Sequence, residues 1–201
     1  FSDGYSDQFG GEKGKKYKVK SFRALLLSIQ EKSMEEQKEL IDSAFENWKG
    51  DLEQIDDFCV ISGNVKIGQY VHIAPFCLVA GGEKGIKMDD FSGLAYQVQV
   101  FSQSDDYSGR TLTNPTIPTK YKKETKKHVH LAKHVIVGAG SIVFPGVKLA
   151  EGCSVGAMSL VNKTTEPWGI YVGNPAKRVK ERKKNLLELE IEFLRDNNGS
   201  F

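Results

Sequence analysis

The chain has 201 residues, 28 of them Lys or Arg and 26 Asp or Glu, for a formal charge of +2, and 39% are hydrophobic. That supports one ordinary domain, or a domain with an appendage, and the near balance of charge demands no nucleic-acid partner. No run approaches the ~20 apolar residues that span a bilayer, and residues 1–20 are polar and glycine-rich without the apolar core of a secretion signal, so a cytoplasmic location is expected.

Residues 1–54 form a first, α-rich segment. Apolar spacing predicts helices over Phe22–Gln30 and Met34–Lys49, the second opened by Ser33 and Glu36 in capping-box spacing and carrying Leu40, Ile41, Ala44, Phe45 and Trp48. Ser2 to Gly11, Phe22 to Ile29 and Trp48 to Asp57 resemble the final portion of bacterial metal-dependent serine/threonine phosphatases. That resemblance matches Asp3 and Asp57 to metal-binding carboxylates. Two carboxylates without their partners hold a divalent cation poorly, so neither metal nor phosphatase activity is expected. The segment is either a cap over the open end of the next domain or the product of recombination.

From Ile55 an aliphatic residue recurs at every sixth position: Ile55, Ile61, Ile67, Ile73 and Val79, then Met88, Leu94 and Val100, then Leu131, Val137, Val143, Leu149, Val155 and Val161. Four positions after nearly all of them stands a small or β-branched residue, among them Cys59, Val71, Cys77, Val98, Val135, Ser141 and Cys153. Three flat sides of six residues give a turn of about 18, so the aliphatic series stacks in ladders inside a triangular prism of short parallel strands. An amphipathic helix requires a period of 3.6 and few glycines, and a sandwich a period of two. The three cysteines, Cys59, Cys77 and Cys153, fall in inward slots without a CxxC pair, which favours reduced core residues over a zinc or redox centre.

The phase breaks at Gly81–Lys87, a slightly enlarged corner, and at Asp106–His130, a polar, lysine-rich segment expected to leave the prism as a loop. After Val161 come Pro167-Trp168-Gly169 and Gly173-Asn174-Pro175-Ala176-Lys177, and from Val179 to Leu194 the pattern turns helical. The β domain is thus expected over residues 55–178 and a C-terminal helix and tail over 179–201.

A hexad prism with one ejected loop and a terminal Gly-Asn-Pro-Ala-Lys resembles the hexapeptide-repeat acyltransferases, in particular the galactoside and maltose O-acetyltransferase-like branch, over about residues 55–183. The resemblance implies a mainly β, left-handed parallel β-helix, assembled as a homotrimer with its active sites between neighbouring prisms. It also implies acetyl-CoA as co-substrate, lying along the late coils at Gly138, Ala139, Gly156, Ala157 and Ser159, with Lys163, Lys177, Arg178 and Lys180 meeting its phosphates. Tight corners are the competing reason for those glycines. Ser104 to Gly109 and Leu112 to Thr116 look like a subgroup that acts on surface-polysaccharide sugars. That implies a sugar or nucleotide-sugar acceptor, with Asp106, Tyr107 and Asn114 as contacts.

Where the galactoside branch carries its general-base histidine, this chain has Asp105. An unperturbed Asp, with a pKa of ~3.9, is the weaker base unless Asp106 or desolvation raises it. Otherwise the two carboxylates bind sugar hydroxyls or cap the loop. His72, expected at a prism corner, is the second candidate. His128 and His130 close the loop, and His134 is expected on the surface. Direct attack on the thioester is expected, because no Ser or Cys lies in a nucleophile-elbow pattern. The function these features predict is an acetyl-CoA-dependent O-acetyltransferase. N-acetylation of an amino sugar and a non-catalytic trimeric scaffold are the alternatives.

Overall fold

A computed structural model describes residues 9–10, 15–49, 53–55 and 58–198. Three parallel sheets, each fed by every third strand, make a three-sided β-helix. The first face stacks Val60–Ser62, Leu78–Ala80, Gln99–Phe101, Ile142–Val143 and Leu160–Val161. The second stacks Val65–Ile67, Ile86–Met88, Val129–Leu131 and Lys148–Leu149. The third begins at Glu53–Ile55 and continues through Val71–Ile73, Gly93–Leu94, Ile136–Val137, Ser154–Val155 and Gly169–Val172.

The hexad aliphatics form the inner ladders: Ile61–Val79–Val100–Val143–Val161 on the first face, Ile67–Met88–Leu131–Leu149 on the second, Ile73–Leu94–Val137–Val155–Tyr171 on the third. From Ile73 to Val161 every hexad aliphatic is 3% exposed or less. Each such side chain contributes roughly 1.5–3 kcal/mol, so the repeated column is what holds the coil together. The small slots close the backbone between coils. The Cys77 thiol donates to the Ala95 carbonyl at 3.1 Å, and Ser141 Oγ donates to the Gly156 carbonyl at 2.9 Å while accepting from Ser159 N at 3.1 Å. Burial pushes the Cys153 thiol pKa up, as befits an unreactive core residue.

Paired strands are eighteen positions apart at Val60–Leu78 and Ile142–Leu160, twenty-one at Leu78–Gln99 and forty-three at Gln99–Ile142. The extra three and the extra twenty-five residues enter at the same corner, between first and second faces, in consecutive coils. The ladder resumes in register across both, with Met88 beside Leu131. An antiparallel stub, Gln103–Ser104 against Thr125–Lys126, closes the base of the long loop. The enlarged corner braces that base: Glu83 pairs with Lys126 at 3.7 Å, and His128 Nδ1 donates to the Lys84 carbonyl at 3.2 Å.

At the corner between second and third faces Tyr70, Phe91, His134 and Trp168 all have positive φ, between 56° and 60°. Their rings form a column, Tyr70 on Phe91 at 4.7 Å, Phe91 by His134 at 5.3 Å and His134 by Trp168 at 6.4 Å. Gly152, φ 65°, belongs to the same series, and there the Trp168 indole fills the space a side chain would need.

Helices α1 (Val19–Ile29) and α2 (Met34–Lys49) match the sequence expectation, α1 starting three residues earlier. The capping box is formed reciprocally, Ser33 N to Glu36 Oε2 at 3.0 Å and Glu36 N to Ser33 Oγ at 3.3 Å. The Trp48 side chain lies outside the described set. The expected helix from Val179 is displaced: Lys177–Glu181 is an exposed strand paired antiparallel with Gly169–Val172, and helix α3 spans Leu186–Asn198. The turn at Gly173–Ala176 returns the chain onto its own last strand, a pairing that helical periodicity does not register.

Candidate functional site

Strand Gln103–Ser104 leads straight into Asp105, which borders a depression of about 300 Å³ between the loop and the first face. Leu78, Gln99, Phe101, Tyr107 and Glu124 line it as well. Asp105 Oδ2 accepts from Asn114 N at 3.4 Å. Its neighbour Asp106 is used differently. Asp106 accepts from Ser108 N at 2.9 Å and from Thr111 Oγ1 at 3.2 Å, and hydrogen bonding by the Ser108 side chain first, then by its backbone N–H and by Thr111, holds its carboxyl below the usual aspartate range. Asp106 is therefore a turn cap. Asn114, φ 74°, is another: its Oδ1 accepts from Thr116 N at 3.0 Å and Thr116 Oγ1 at 2.6 Å. Tyr107 is 88% exposed at the rim. The two adjacent carboxylates have thus divided the work, Asp106 shaping the loop and Asp105 facing the depression.

Glu124, across the depression, pairs with Lys126 at 3.3 Å and Lys122 at 3.6 Å. The hydrogen bond from Lys126 is the main reason its carboxyl is held below the usual glutamate value. Sequence reasoning passed over Gln99, Phe101 and Glu124. The first two flank the inward Val100 on the strand entering the loop, and Glu124 interrupts the Lys120–Lys127 run, which were the available signals.

His72 lies in mid-strand on the third face, not at a corner, and borders a separate depression of about 440 Å³ beneath α3 with Tyr70, Phe91 and Phe193. One chain therefore does not bring His72 to Asp105. His134, expected on the surface, is only 7% exposed: α3 covers it, and His134 Nε2 bonds Glu190 Oε2 at 2.8 Å. His130, on the strand that re-enters the prism, donates from Nε2 to Asp89 Oδ2 at 2.6 Å.

The late-coil residues have a packing reason of their own. A Cβ on Gly138 would lie 2.5 Å from Ala157 N, and one on Gly156 2.7 Å from Val172 Cγ1, so consecutive coils stack too closely there for a side chain. Ala139 and Ala157 share that corner. Ser159 is buried, and its Oγ accepts from Gly173 N at 3.0 Å while Ala176 N donates to the Leu160 carbonyl at 2.8 Å. The Gly173–Lys177 signature is thereby sewn onto the last coil, which sets Lys177, Arg178 and Lys180 on an exposed strand, with Lys163 also exposed. Among the described residues no group of three or more His, Cys, Asp or Glu is placed to hold a metal, and no helix is long and apolar enough to cross a membrane.

No protein-family model matches the sequence. A dTDP-4-amino-4,6-dideoxy-D-glucose acyltransferase of Escherichia coli is 41% identical over 147 residues, covering 72% of this chain and 76% of that protein. AntD, an N-acyltransferase from Bacillus cereus, is 49% identical. Its complex with dTDP-4-amino-4,6-dideoxyglucose and coenzyme A superposes with a TM-score of 0.71 over 72% of this chain and 77% of that one. Its complex with dTDP and 3-hydroxybutyryl-CoA gives 0.72 over 73% and 78%. Further AntD structures carry an aspartate replaced by Asn or Ala. A hexapeptide-repeat-containing acetyltransferase of Vibrio cholerae, 20% identical, shares the fold with a TM-score of 0.50 over 81% of this chain and 89% of that one. These relatives lend no support to the phosphatase resemblance, and Asp3 and Asp57, which it matched to metal-binding carboxylates, lie outside the described residues.

Proposed function

The chain belongs to the hexapeptide-repeat acyltransferase family, and on that premise we propose that it transfers an acyl group from a coenzyme A thioester to the amino group of a dTDP-linked amino sugar. The observation that carries this is the 49% identity to AntD, whose complexes hold such a sugar nucleotide together with coenzyme A. Nitrogen thereby takes precedence over the sugar hydroxyl expected from the sequence.

The chemistry of Asp105 supports the same choice. A hydroxyl needs a strong base to attack a thioester, whereas an amine attacks once it is neutral. Asp105 holds the acceptor nitrogen, and the proton released as the C–N bond forms and the C–S bond breaks passes to its carboxylate. A backbone N–H on the neighbouring coil stabilises the oxyanion. Asp106 and Asn114 hold the loop that carries Asp105, Tyr107 closes the rim, and Lys163, Lys177, Arg178 and Lys180 take the phosphates of the donor, whose arm runs past Gly138, Ala139, Gly156 and Ala157. The coil is left-handed and the assembly a homotrimer, as elsewhere in the resemblance.

The test is thiol release from acetyl-CoA and 3-hydroxybutyryl-CoA with dTDP-4-amino-4,6-dideoxyglucose, beside the corresponding sugar with a hydroxyl in place of the amine. Release with the amine alone is expected, with Asp105→Ala lowering kcat about 100-fold and His72→Ala leaving it within a few-fold. Release with the hydroxyl sugar alone restores O-acetylation. Neither release nor coenzyme A binding leaves the scaffold.

A further inference from the structure

The second face carries an outward row unlike the other two. Lys66 lies beside Lys87, Lys87 beside His130, and His130 beside Lys148, in unbroken register. On the third face the outward row is His72, Gly93, Ile136 and Ser154; on the first it is Val60, Leu78, Gln99, Ile142 and Leu160. Neighbouring strands are about 4.8 Å apart, so the basic row runs about 14 Å along the prism. Like charges directly opposed in a sheet are destabilising, and nothing in the hexad pattern asks for them, because outward positions tolerate most polar residues.

One carboxylate offsets the middle of the row and leaves its two ends uncompensated. Asp89 is held between Lys87 Nζ at 2.7 Å and His130 Nε2 at 2.6 Å. Asp90 accepts from Gln69 N at 2.8 Å, and Lys133 at the border is engaged by Glu190. Lys66 and Lys148, at the two ends, have no ion pair among the described residues, and both are exposed. A depression of about 400 Å³ opens over Gly68, lined by Lys66, Lys87 and Lys133 together with Asp89 and Asp90, both of which are already hydrogen-bonded. His130 is on the strand Val129–Leu131 that follows the long loop, so the row passes beside the corner where that loop re-enters the prism.

We propose that this row of Lys66, Lys87, His130 and Lys148 binds the diphosphate of a nucleotide substrate. The inference rests on the acyltransferase reading above, in which both substrates carry a diphosphate. The two phosphates lie over the middle rungs, where Asp89 keeps Lys87 and His130 from turning away into solvent, and the long exposed side chains of Lys66 and Lys148 reach in from either end to supply charge-assisted hydrogen bonds.

Calorimetric titration of the full chain with inorganic pyrophosphate, dTDP and coenzyme A tests this. The proteins compared are the wild type, Lys66→Gln/Lys148→Gln and Lys66→Arg/Lys148→Arg. Both sites are exposed, and circular dichroism checks that each variant folds. Pyrophosphate binds the wild type and the Arg variant, and the Gln variant weakens it about ten-fold. A parallel loss for dTDP assigns the row to the acceptor; a parallel loss for coenzyme A assigns it to the donor and displaces the phosphate contacts proposed above for Lys163, Lys177, Arg178 and Lys180. Pyrophosphate that ignores the Gln substitutions, or fails to bind the wild type, overturns the proposal. Pyrophosphate bound and lost as expected, with neither nucleotide binding the wild type, leaves the anion site standing and removes the acyltransferase reading beneath it.

Discussion

On the first face of the prism the outward residues are Val60, Leu78, Gln99, Ile142 and Leu160; on the second they are Lys66, Lys87, His130 and Lys148. One position away along the same strands, both faces bury the same kind of residue: Val100 and Val143 on the first, Leu131 and Leu149 on the second. Because side chains alternate along a strand, a β-helix writes two independent messages. Inward positions specify the coil, and outward positions specify what each face meets. An apolar outward row suits contact with another copy of the chain, and a basic one suits solvent and anions.

The sharpest way to break this division is on adjacent residues. Leu131→Ala, in the inner ladder, is expected to cost about 3 kcal/mol, and His130→Ala, beside it and outward, less than about 1 kcal/mol. Urea denaturation measures both, and equal losses would mean that the two rows do not act separately. A smaller effect, on the order of 1 kcal/mol, is expected for Glu190→Gln on α3. Burial of Glu190 opposes its charge, but hydrogen bonds from Lys133 and His134 outweigh that and hold its pKa below 4.5. Its contribution is therefore fully present above pH 4.5 and lost as pH falls through the lower folded value. The wild type and the Gln variant should differ in denaturation midpoint at pH 7 and converge in acid. Smallest in stability is Leu78→Gln on the first face, within about 0.5 kcal/mol. Its expected readout is a lower apparent mass in sedimentation at micromolar concentration, the sign that the apolar row is an interface.

The inner rows were legible because a period of six, kept through three runs between Ile55 and Val161, has few other physical solutions, and the two phase breaks fell where the chain enlarges its corners. What escaped was set by distant partners. His134 is buried by Glu190, fifty-six residues later. The strand at Lys177–Glu181 exists because Gly169–Val172 offers an open edge. In the site, the Asp105-Asp106 pair was visible but its division of labour was not, since only the folded loop brings Ser108 and Thr111 to Asp106. The basic row escaped for the same reason: Lys66, Lys87, His130 and Lys148 are eighteen, twenty-one or forty-three positions apart along the chain and become neighbours only when coils stack.

Both insertions into the eighteen-residue turn enter at one edge of the prism, and the ladders close over them unchanged, Met88 meeting Leu131 as if nothing intervened. That edge works as a docking port in the engineering sense. The stub of Gln103–Ser104 and Thr125–Lys126 is a fixed socket, and what is plugged into it can differ in length and chemistry while the shaft stays the same. Under the acyltransferase reading proposed above, a change of plug alters the acceptor surface without disturbing the coil.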